Sequence, residues 1–479
     1  MMRLTKDEIA KIVSGKTKPT SEKITVIGAE YDSRQIKGGE IFIALKGEKE
    51  HGHHYIPTAY ERGAGLLLVE DEAFLDSEYS DRVIVVADTL QAFWKLAEYW
   101  RLFLNIPTIA VTGSVGKTTT KEILASILMQ KGAGNYAQKS FNNHVGVPYT
   151  LLKASPQHLW QVIEIGMNRP GEISSLSKIT HPDLAMVTEV AAAHIGAFEN
   201  IEGIGHEKLS IIDGARKGGS FVVNGDNEVI QNLLPSKNLD KDFTLLRVGE
   251  NKSNDFIISD ISVEGIDTIH FTVSDANHKN DNHWVLKALL RIAGVHNAKN
   301  AALAVVAAHT LFPDLLPEQI AKGLERFVAP LMRLNLKEIP GPGNKMMLDD
   351  SYNANPASMK AMLAIAADTK RVGKKIGLIL GDMLELGAFN EEYHRALGEQ
   401  VKELQPEFTF LVGQSSQIVQ NAIGTSLKTA IFNTPEEAGN AATREAFDMI
   451  FIKASRGIGL DRAANAILTH AVSSVLKPS

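Results

Sequence analysis

The sequence contains no cysteine. A disulfide framework, a thiolate nucleophile and a Cys-ligated zinc are therefore all excluded, which leaves hard-metal and phosphate chemistry open. It also lacks an excess of basic residues. Lys and Arg number 50 against 56 Asp and Glu, a formal net charge of −6, and phosphate backbones bind to basic patches, so no nucleic-acid partner is expected. Long apolar runs are missing too: no window approaches the roughly 20 apolar residues of a membrane helix, so no membrane insertion is expected. Met1 to Lys18 mixes charged residues with short apolar pairs and has no signal-peptide core. There is no internal repeat and no low-complexity tract. What remains is an ordinary globular composition, 44% hydrophobic and 22% charged over 479 residues. At roughly 100–200 residues per domain, that length suggests about three domains of a cytoplasmic enzyme.

From Ile24 to about Phe103, short apolar runs at 41–45, 66–69 and 83–87 alternate with polar helical stretches. This reads as a small α/β domain closed by an amphipathic helix, Leu90 to Leu102. Pro107 to Thr112 is a β-branched strand leading into a glycine-rich loop and a long helix from about Lys117, the opening unit of a doubly wound parallel sheet. Strand-like runs follow at 161–165, 185–190 and 221–224. The alternation between Asp255 and Leu290 predicts antiparallel strands, and Asn297 to Leu311 an Ala-rich helix. Beyond Phe327-Val-Ala-Pro330, the apolar runs 375–380, 408–412 and 449–452 predict a second open α/β sheet. The expected class is α/β with domains at 1–103, 104–329 and 330–479: a small α/β domain, a central P-loop ATPase-like parallel-sheet domain and a C-terminal Rossmann-like domain.

Thr112-Gly113-Ser114-Val115-Gly116-Lys117-Thr118-Thr119 sits between strand and helix, where backbone N–H groups and a helix N-terminus hold phosphate oxygens. Lys117 would meet the β- and γ-phosphates of ATP and Thr118 would take Mg²⁺. The general pattern wants Gly at position 111, which is Val111. The loop as it stands resembles that of the Mur ligases and the related folylpolyglutamate synthetases. These enzymes activate a carboxylate with ATP as an acyl phosphate, which an incoming amine then displaces.

The resemblance carries further residues. Glu164 and His194, each following an apolar strand, match the family's second Mg²⁺ site, shared with Thr118 and phosphate. Lys208 in His206-Glu207-Lys208 matches the lysine that the family carries as a carbamate formed with CO₂. Because the reaction needs neutral amine and a free lysine titrates near ~10.4, burial must lower its pKa. Asn142 and Asn143 in Ser140-Phe-Asn-Asn-His fit polar contacts around substrate and phosphate. Asn297 and Asn300 share one helical face. On spacing alone Asn297 is equally a helix cap, while the resemblance assigns His296, Asn297 and Asn300 to ATP. Arg333 matches an arginine that reaches the phosphates from the third domain, although Met332 stands where the family usually has Gly.

Asp349-Asp350-Ser351-Tyr352-Asn353-Ala354-Asn355-Pro356 resembles the D-alanyl-D-alanine-adding branch of the family, with Asp350 toward ribose and Asn353 and Asn355 toward substrate. Gly381-Asp382-Met383-Leu384-Glu385-Leu386-Gly387, followed by His394, repeats that branch's signature. The Asp-Asn-Pro-Arg string of the branch that adds the third stem residue is absent. Lys453-Ala454-Ser455-Arg456 resembles the family's Lys-Gly-Ser-Arg, which implies dipeptide contacts from Lys453 and Ser455. In the first domain, Asp32-Ser33-Arg34 resembles a UDP-sugar-binding turn, with Ser33 and Arg34 facing the nucleotide sugar, and His51-Gly-His-His reads as a non-metal motif. The resemblance implies a monomeric ligase joining D-alanyl-D-alanine to UDP-N-acetylmuramoyl-tripeptide, using ATP, Mg²⁺ and a lysine carbamate. Two rivals stand beside it: a sister ligase adding one amino acid, and an ATP-switched binding protein. An intact Glu164, His194 and Lys208 set argues against the latter.

Overall fold

Three sheets organise the chain, each grown from apolar runs that two faces of neighbouring structure must cover. The computed structural model describes residues 2–47, 50–137, 139–193, 195–198, 200–237, 239, 243–276 and 284–475. In the N-terminal unit, Ala29–Glu30, Ile41–Ile43, Leu66–Val69 and Val83–Val85 form a four-stranded parallel sheet. A short antiparallel pair, Arg3–Thr5 with Thr25–Ile27, precedes it. The helix Thr89–Leu104 follows, capped by Asp88 and ended by Asn105 in the left-handed conformation. Its Arg101 is buried and donates to the carbonyls of Thr180 and His181 and to Asp183 (3.0 Å), so this helix is bolted to the central unit.

The central sheet has nine strands in the order Val285–Arg291, Thr268–Asp275, Phe256–Glu264, Thr244–Gly249, Ser220–Asn224, Leu184–Val187, Thr108–Thr112, Gln161–Glu164 and Asn135–Tyr136. The strands from Thr108 to Gly249 are parallel, while Thr268–Asp275 pairs antiparallel with both its neighbours. Thr108–Thr112 comes first in this doubly wound part, and the chain leaves it in both directions. Its carboxyl end is therefore a topological switch point, where open α/β sheets bind ligands. The helices Lys117–Leu128 and Asn297–Leu311 pack against one face of the sheet. The second of these is buried almost throughout by alanines and valines, whose small side chains let it lie close.

The third sheet runs Asn335–Glu338, Met346–Asp350, Met449–Lys453, Ile376–Gly381, Phe408–Val412 and Thr429–Phe432, parallel except for its first strand. Asp349 and Asp350 are the last two residues of the strand Met346–Asp350. Register places Asp350 beside Lys453 at the carboxyl edge. That edge faces the central sheet's switch point across a cleft of about 800 Å³. No helix among the described residues is long and apolar enough to cross a membrane.

Candidate functional site

The cleft floor is the loop from Gly113 to Thr119. Gly113 and Gly116 have φ of +152° and +87°, a backbone path that side chains resist. A Cβ at Gly113 would lie 2.1 Å from Thr188 Oγ1, and one at Gly116 would lie 2.4 Å from Asn300 Oδ1. Gly116 occupies the N-cap of Lys117–Leu128 and supplies no side-chain cap, so the first turn leaves its N–H groups open toward the cleft. Ser114 ties the loop to the next strand end: its N–H donates to the Glu189 carbonyl (2.7 Å) and its hydroxyl to that of Ala191 (2.8 Å). Lys117 Nζ rests on the Gly113 carbonyl at 2.6 Å. Burial among protein groups and the nearby Arg333 push its ammonium down to about 8, against the pull of Glu164.

Glu164 is 1% exposed and ends the strand beside Val111. Its carboxylate accepts the Thr118 hydroxyl (2.9 and 3.1 Å) and the Asn142 amide (2.8 Å). Lys121, one turn along the helix from Thr118, is buried 3.9 Å from the same carboxylate and donates to the carbonyl of Ala137. Ser140 completes the cluster, with its hydroxyl 3.2 Å from Thr118 and 3.1 Å from Arg333 Nη2. The Asn143 side-chain oxygen accepts the N–H groups of Val145 (3.2 Å) and Gly146 (2.8 Å), at the start of the helix Gly146–Lys153, and so is spent on the fold. The first unit also grips this loop, because Trp94 Nε1 donates to the His144 carbonyl at 2.7 Å. His194 lies outside the described residues.

Lys208 is fully buried, and its pKa is lowered well below the usual lysine value. Desolvation dominates and Lys117 adds repulsion, while Glu207 and Glu172 oppose. Glu207, its neighbour, accepts the N–H groups of Gly171 (2.8 Å) and Ile173 (2.9 Å) and so holds the helix Glu172–Thr180 against this one.

On the other side of the loop, Asn297 is 1% exposed with both ends of its amide engaged. Nδ2 donates to the Ala293 carbonyl (2.8 Å) and Oδ1 accepts from Asn300 (2.9 Å). It is not a cap: His296 occupies the N-cap position without a side-chain bond. The Ala293–Asn297–Asn300 relay instead sets the Asn300 amide against Gly116. The His296 ring opens to the cleft, yet desolvation and the Lys453 ammonium push its pKa down, so it is neutral at pH 7. Beside it Lys299 pairs with Asp226 (2.9 Å). Burial opposes ionisation of Asp226, but the Glu250 N–H and the Lys299 ammonium hold it down to about 2.

The third unit supplies the opposite wall. Arg333 stacks on Tyr352, its guanidinium carbon 4.1 Å from the ring centroid. The residues on either side, Met332 and Leu334, have φ of +60° and +48°. Thus Met332 adopts the left-handed conformation that the family's usual glycine would supply. Of the other non-glycine residues with positive φ, Ser14, Asn105, His181 and Gln405 end helices, Asp260 lies at a bulge and Asn344 in a glycine-flanked turn. Met332, Leu334 and Glu385 have no such local cause; Leu334 and Glu385 line the cleft, and Met332 directly precedes Arg333, which does. Lys453 is buried and forms an ion pair with Asp350, and it donates to the Asn353 carbonyl at 2.8 Å. Ser455 accepts the Leu384 N–H (2.9 Å), and Asn355 caps the helix Pro356–Arg371. Ser33 and Arg34 stay in the first unit, away from the cleft lining, with Arg34 forked onto Asp32 (2.8 and 2.9 Å). His53 Nε2 accepts the Glu70 N–H (3.1 Å), a structural use of the histidine cluster.

Three family models match in succession: the Mur ligase family catalytic domain over 24–99, the Mur ligase middle domain over 111–308, and the Mur ligase glutamate ligase domain over 332–456. A protein of Bacillus subtilis (strain 168) named UDP-N-acetylmuramoyl-tripeptide–D-alanyl-D-alanine ligase is 32% identical, covering 99% of this chain and 100% of that protein. The chain belongs to the Mur ligase family. An Escherichia coli (strain K12) protein of the same name is 33% identical over 88% of this chain and 89% of its own length. A crystal structure of MurF from Acinetobacter baumannii superposes with a TM-score of 0.83 at 28% identity, covering 98% of this chain and 99% of that one. Within the Mur ligase frame, the departure at Met332 is absorbed by a strained backbone. Ala454 is buried where the family has Gly, and its methyl takes up room that a side chain at Gly381 would need.

The sequence did not single out Lys121, Ser140 or Tyr352. Lys121 follows Thr118 at helical spacing, and Ser140 opens the string that carries Asn142. Tyr352 lies in the string that carries Asn353 and Asn355, but its contact with Arg333 left no mark in the sequence.

Proposed function

We propose that this cleft joins D-alanyl-D-alanine to the terminal carboxylate of UDP-N-acetylmuramoyl-tripeptide, with ATP as phosphoryl donor. The reaction yields the UDP-muramoyl-pentapeptide of cell-wall synthesis, ADP and phosphate. The observation that carries the reading is the convergence, in one cleft, of an open phosphate loop, a buried Glu164 facing Thr118, and Arg333 arriving from the third unit. The names of the relatives support the substrates.

In this reading residues 1–103 hold the UDP-sugar through Ser33 and Arg34, residues 104–329 hold ATP and the reacting carboxylate, and residues 330–479 bring the dipeptide and close on the nucleotide. Gly113 to Thr119 cradle the phosphates with N–H groups. Lys117 leaves the Gly113 carbonyl to meet the β- and γ-phosphates, and Arg333, braced by Tyr352, meets them from above. Thr118 and Glu164 are hard oxygen donors suited to Mg²⁺, with His194 as a further ligand. Bound there, Mg²⁺ would neutralise charge on the transferring phosphoryl group. Asn142 and Lys121 fix the orientation of Glu164. Lys208 in its neutral form adds CO₂, releasing one proton to give an anionic carbamate. A tripeptide carboxylate oxygen attacks the γ-phosphorus, and ADP leaves with the broken P–O bond's electrons, giving the acyl phosphate. The neutral dipeptide amine then attacks its carbonyl carbon, a C–N bond forms, phosphate leaves with the C–O bond electrons, and the nitrogen releases one proton to solvent. In this reading the enzyme works in the cytoplasm, and it works as a monomer.

The test is isotopic. With ¹⁸O in the tripeptide's terminal carboxylate, one labelled oxygen is expected in each phosphate released. Unlabelled phosphate would contradict an acyl phosphate route.

A further inference from the structure

A second recess opens beside the cleft, between the first unit and the central one. It has a volume of about 360 Å³ and is walled by Trp94 of the helix Thr89–Leu104, by His144, and by Pro170, Glu172, Ser175 and Leu176 around the start of the helix Glu172–Thr180. His144 and Glu172 also line the main cleft, so the two spaces adjoin. The walls are fixed. Trp94 Nε1 is spent on the His144 carbonyl (2.7 Å), and Leu176 is buried. Glu172 Oε2 accepts the N–H groups of Asn168 (2.7 Å) and Arg169 (3.3 Å), while Oε1 accepts nothing among the described residues. The Ser175 hydroxyl donates to the Gly171 carbonyl (2.8 Å), which leaves its lone pairs open. Indole, proline ring and leucine thus surround one half-buried carboxylate, and neither lysine nor arginine lines the recess.

That combination suits an aliphatic chain ending in an ammonium group. The methylenes would lie on the apolar walls, Glu172 and Ser175 would accept from the charged end, and the indole face adds attraction for a cation. The ligase reading says which molecule brings such a chain there. The carboxylate to be activated belongs to the tripeptide's third residue, so when it reaches the phosphate loop the side chain of that residue starts from the adjacent carbon. The UDP-sugar lies on the first unit in that reading, so the tripeptide crosses the junction where the recess opens. Resting on the ligase reading above, we propose that this recess binds the side chain of the tripeptide's third residue and that the Glu172 carboxylate pairs with an ammonium group at its end.

The experiment compares UDP-muramoyl-tripeptides that differ only in that ammonium group. The third residue is L-lysine against L-norleucine, and meso-diaminopimelate against 2-aminopimelate. For each, kcat/KM is measured in the wild type and in Glu172→Gln, which keeps an acceptor for the Asn168 and Arg169 N–H groups and removes the charge. In the wild type the ammonium member of at least one pair is expected to lead its analogue by about 10- to 100-fold, the worth of a charge-assisted hydrogen bond. In Glu172→Gln the two should come within about threefold of each other, through loss on the ammonium member alone. Because each ratio is taken within one protein, a general loss of stability or rate leaves it unchanged. Equal use of both members of each pair by the wild type overturns the assignment, and so does a ratio that survives in Glu172→Gln. If the wild type turns over no tripeptide with D-alanyl-D-alanine, the ligase reading itself falls, and this assignment with it.

Discussion

Replacing Asn297 with alanine separates a nucleotide contact from a structural anchor. The side chain is buried, its amide donates to the Ala293 carbonyl at 2.8 Å, and its oxygen accepts from Asn300 at 2.9 Å. Deletion removes two hydrogen bonds worth ~1 kcal/mol each and leaves a buried carbonyl unpaired, a further cost of ~1–3 kcal/mol, for a total of about 3–5 kcal/mol. For a unit of this size that corresponds to a fall in melting temperature of roughly 6–20 °C. Freed from Asn297, the Asn300 amide no longer has a fixed place against Gly116, so the KM for ATP should rise as well. Asn300→Ala should raise that KM similarly but cost only about 1 kcal/mol, because its side chain is half-exposed. Thermal unfolding followed by calorimetry, with initial rates at varied ATP, reads both effects. An Asn297→Ala protein that melts like the wild type while its ATP KM rises would refute the anchor and make Asn297 a direct nucleotide contact.

Three further expectations follow from the geometry. The Lys117 ammonium is lowered to about 8 in the free protein, and phosphate binding favours its charged form. Its protonated fraction falls from about 0.9 at pH 7 to about 0.1 at pH 9, so ADP affinity measured by titration calorimetry should drop about tenfold across that range and lose this dependence in Lys117→Ala. Met332→Gly removes a left-handed side-chain penalty of ~1–2 kcal/mol and adds unfolded-chain entropy of ~0.5–1 kcal/mol, so thermal unfolding should show a gain of about 0.5–1 kcal/mol. A loss would mean that the Met332 side chain is needed where it is. With ¹³C-bicarbonate, a carbamate carbon signal is expected in the wild type and not in Lys208→Ala, and its absence from both would leave Lys208 a buried neutral amine.

Much of this architecture was legible because its determinants are local. The apolar strand before Gly113 and the runs at 408–412 and 449–452 could only be buried strands, and the glycine spacing at 113 and 116 fixes the loop. The strands Thr244–Gly249 and Thr429–Phe432 were missed, since both are partly exposed and lack a clean alternation. Asn135–Tyr136 is too short to carry any period. At the site, residue types with one dominant use were readable: Lys117, Thr118, Glu164. The amides were harder, because an asparagine can cap a helix, bind a ligand or anchor a neighbour. Asn355 caps a helix, Asn143 holds the backbone just ahead of one, Asn142 holds Glu164, and Asn297 anchors Asn300. Spacing does not separate these uses. The positive φ at Met332 left no trace in the sequence beyond the glycine it replaces, and the stacking of Arg333 on Tyr352 arises only when the third unit meets the central one.

The central claim is that this ligase adds a dipeptide. The direct measurement is phosphate release from ATP with UDP-muramoyl-tripeptide, comparing D-alanyl-D-alanine with D-alanine, L-lysine, diaminopimelate and L-glutamate, with the product mass determined in each case. Release and a pentapeptide mass with the dipeptide alone is the predicted result. Turnover with a single amino acid in place of the dipeptide, or none with any amine, would contradict it.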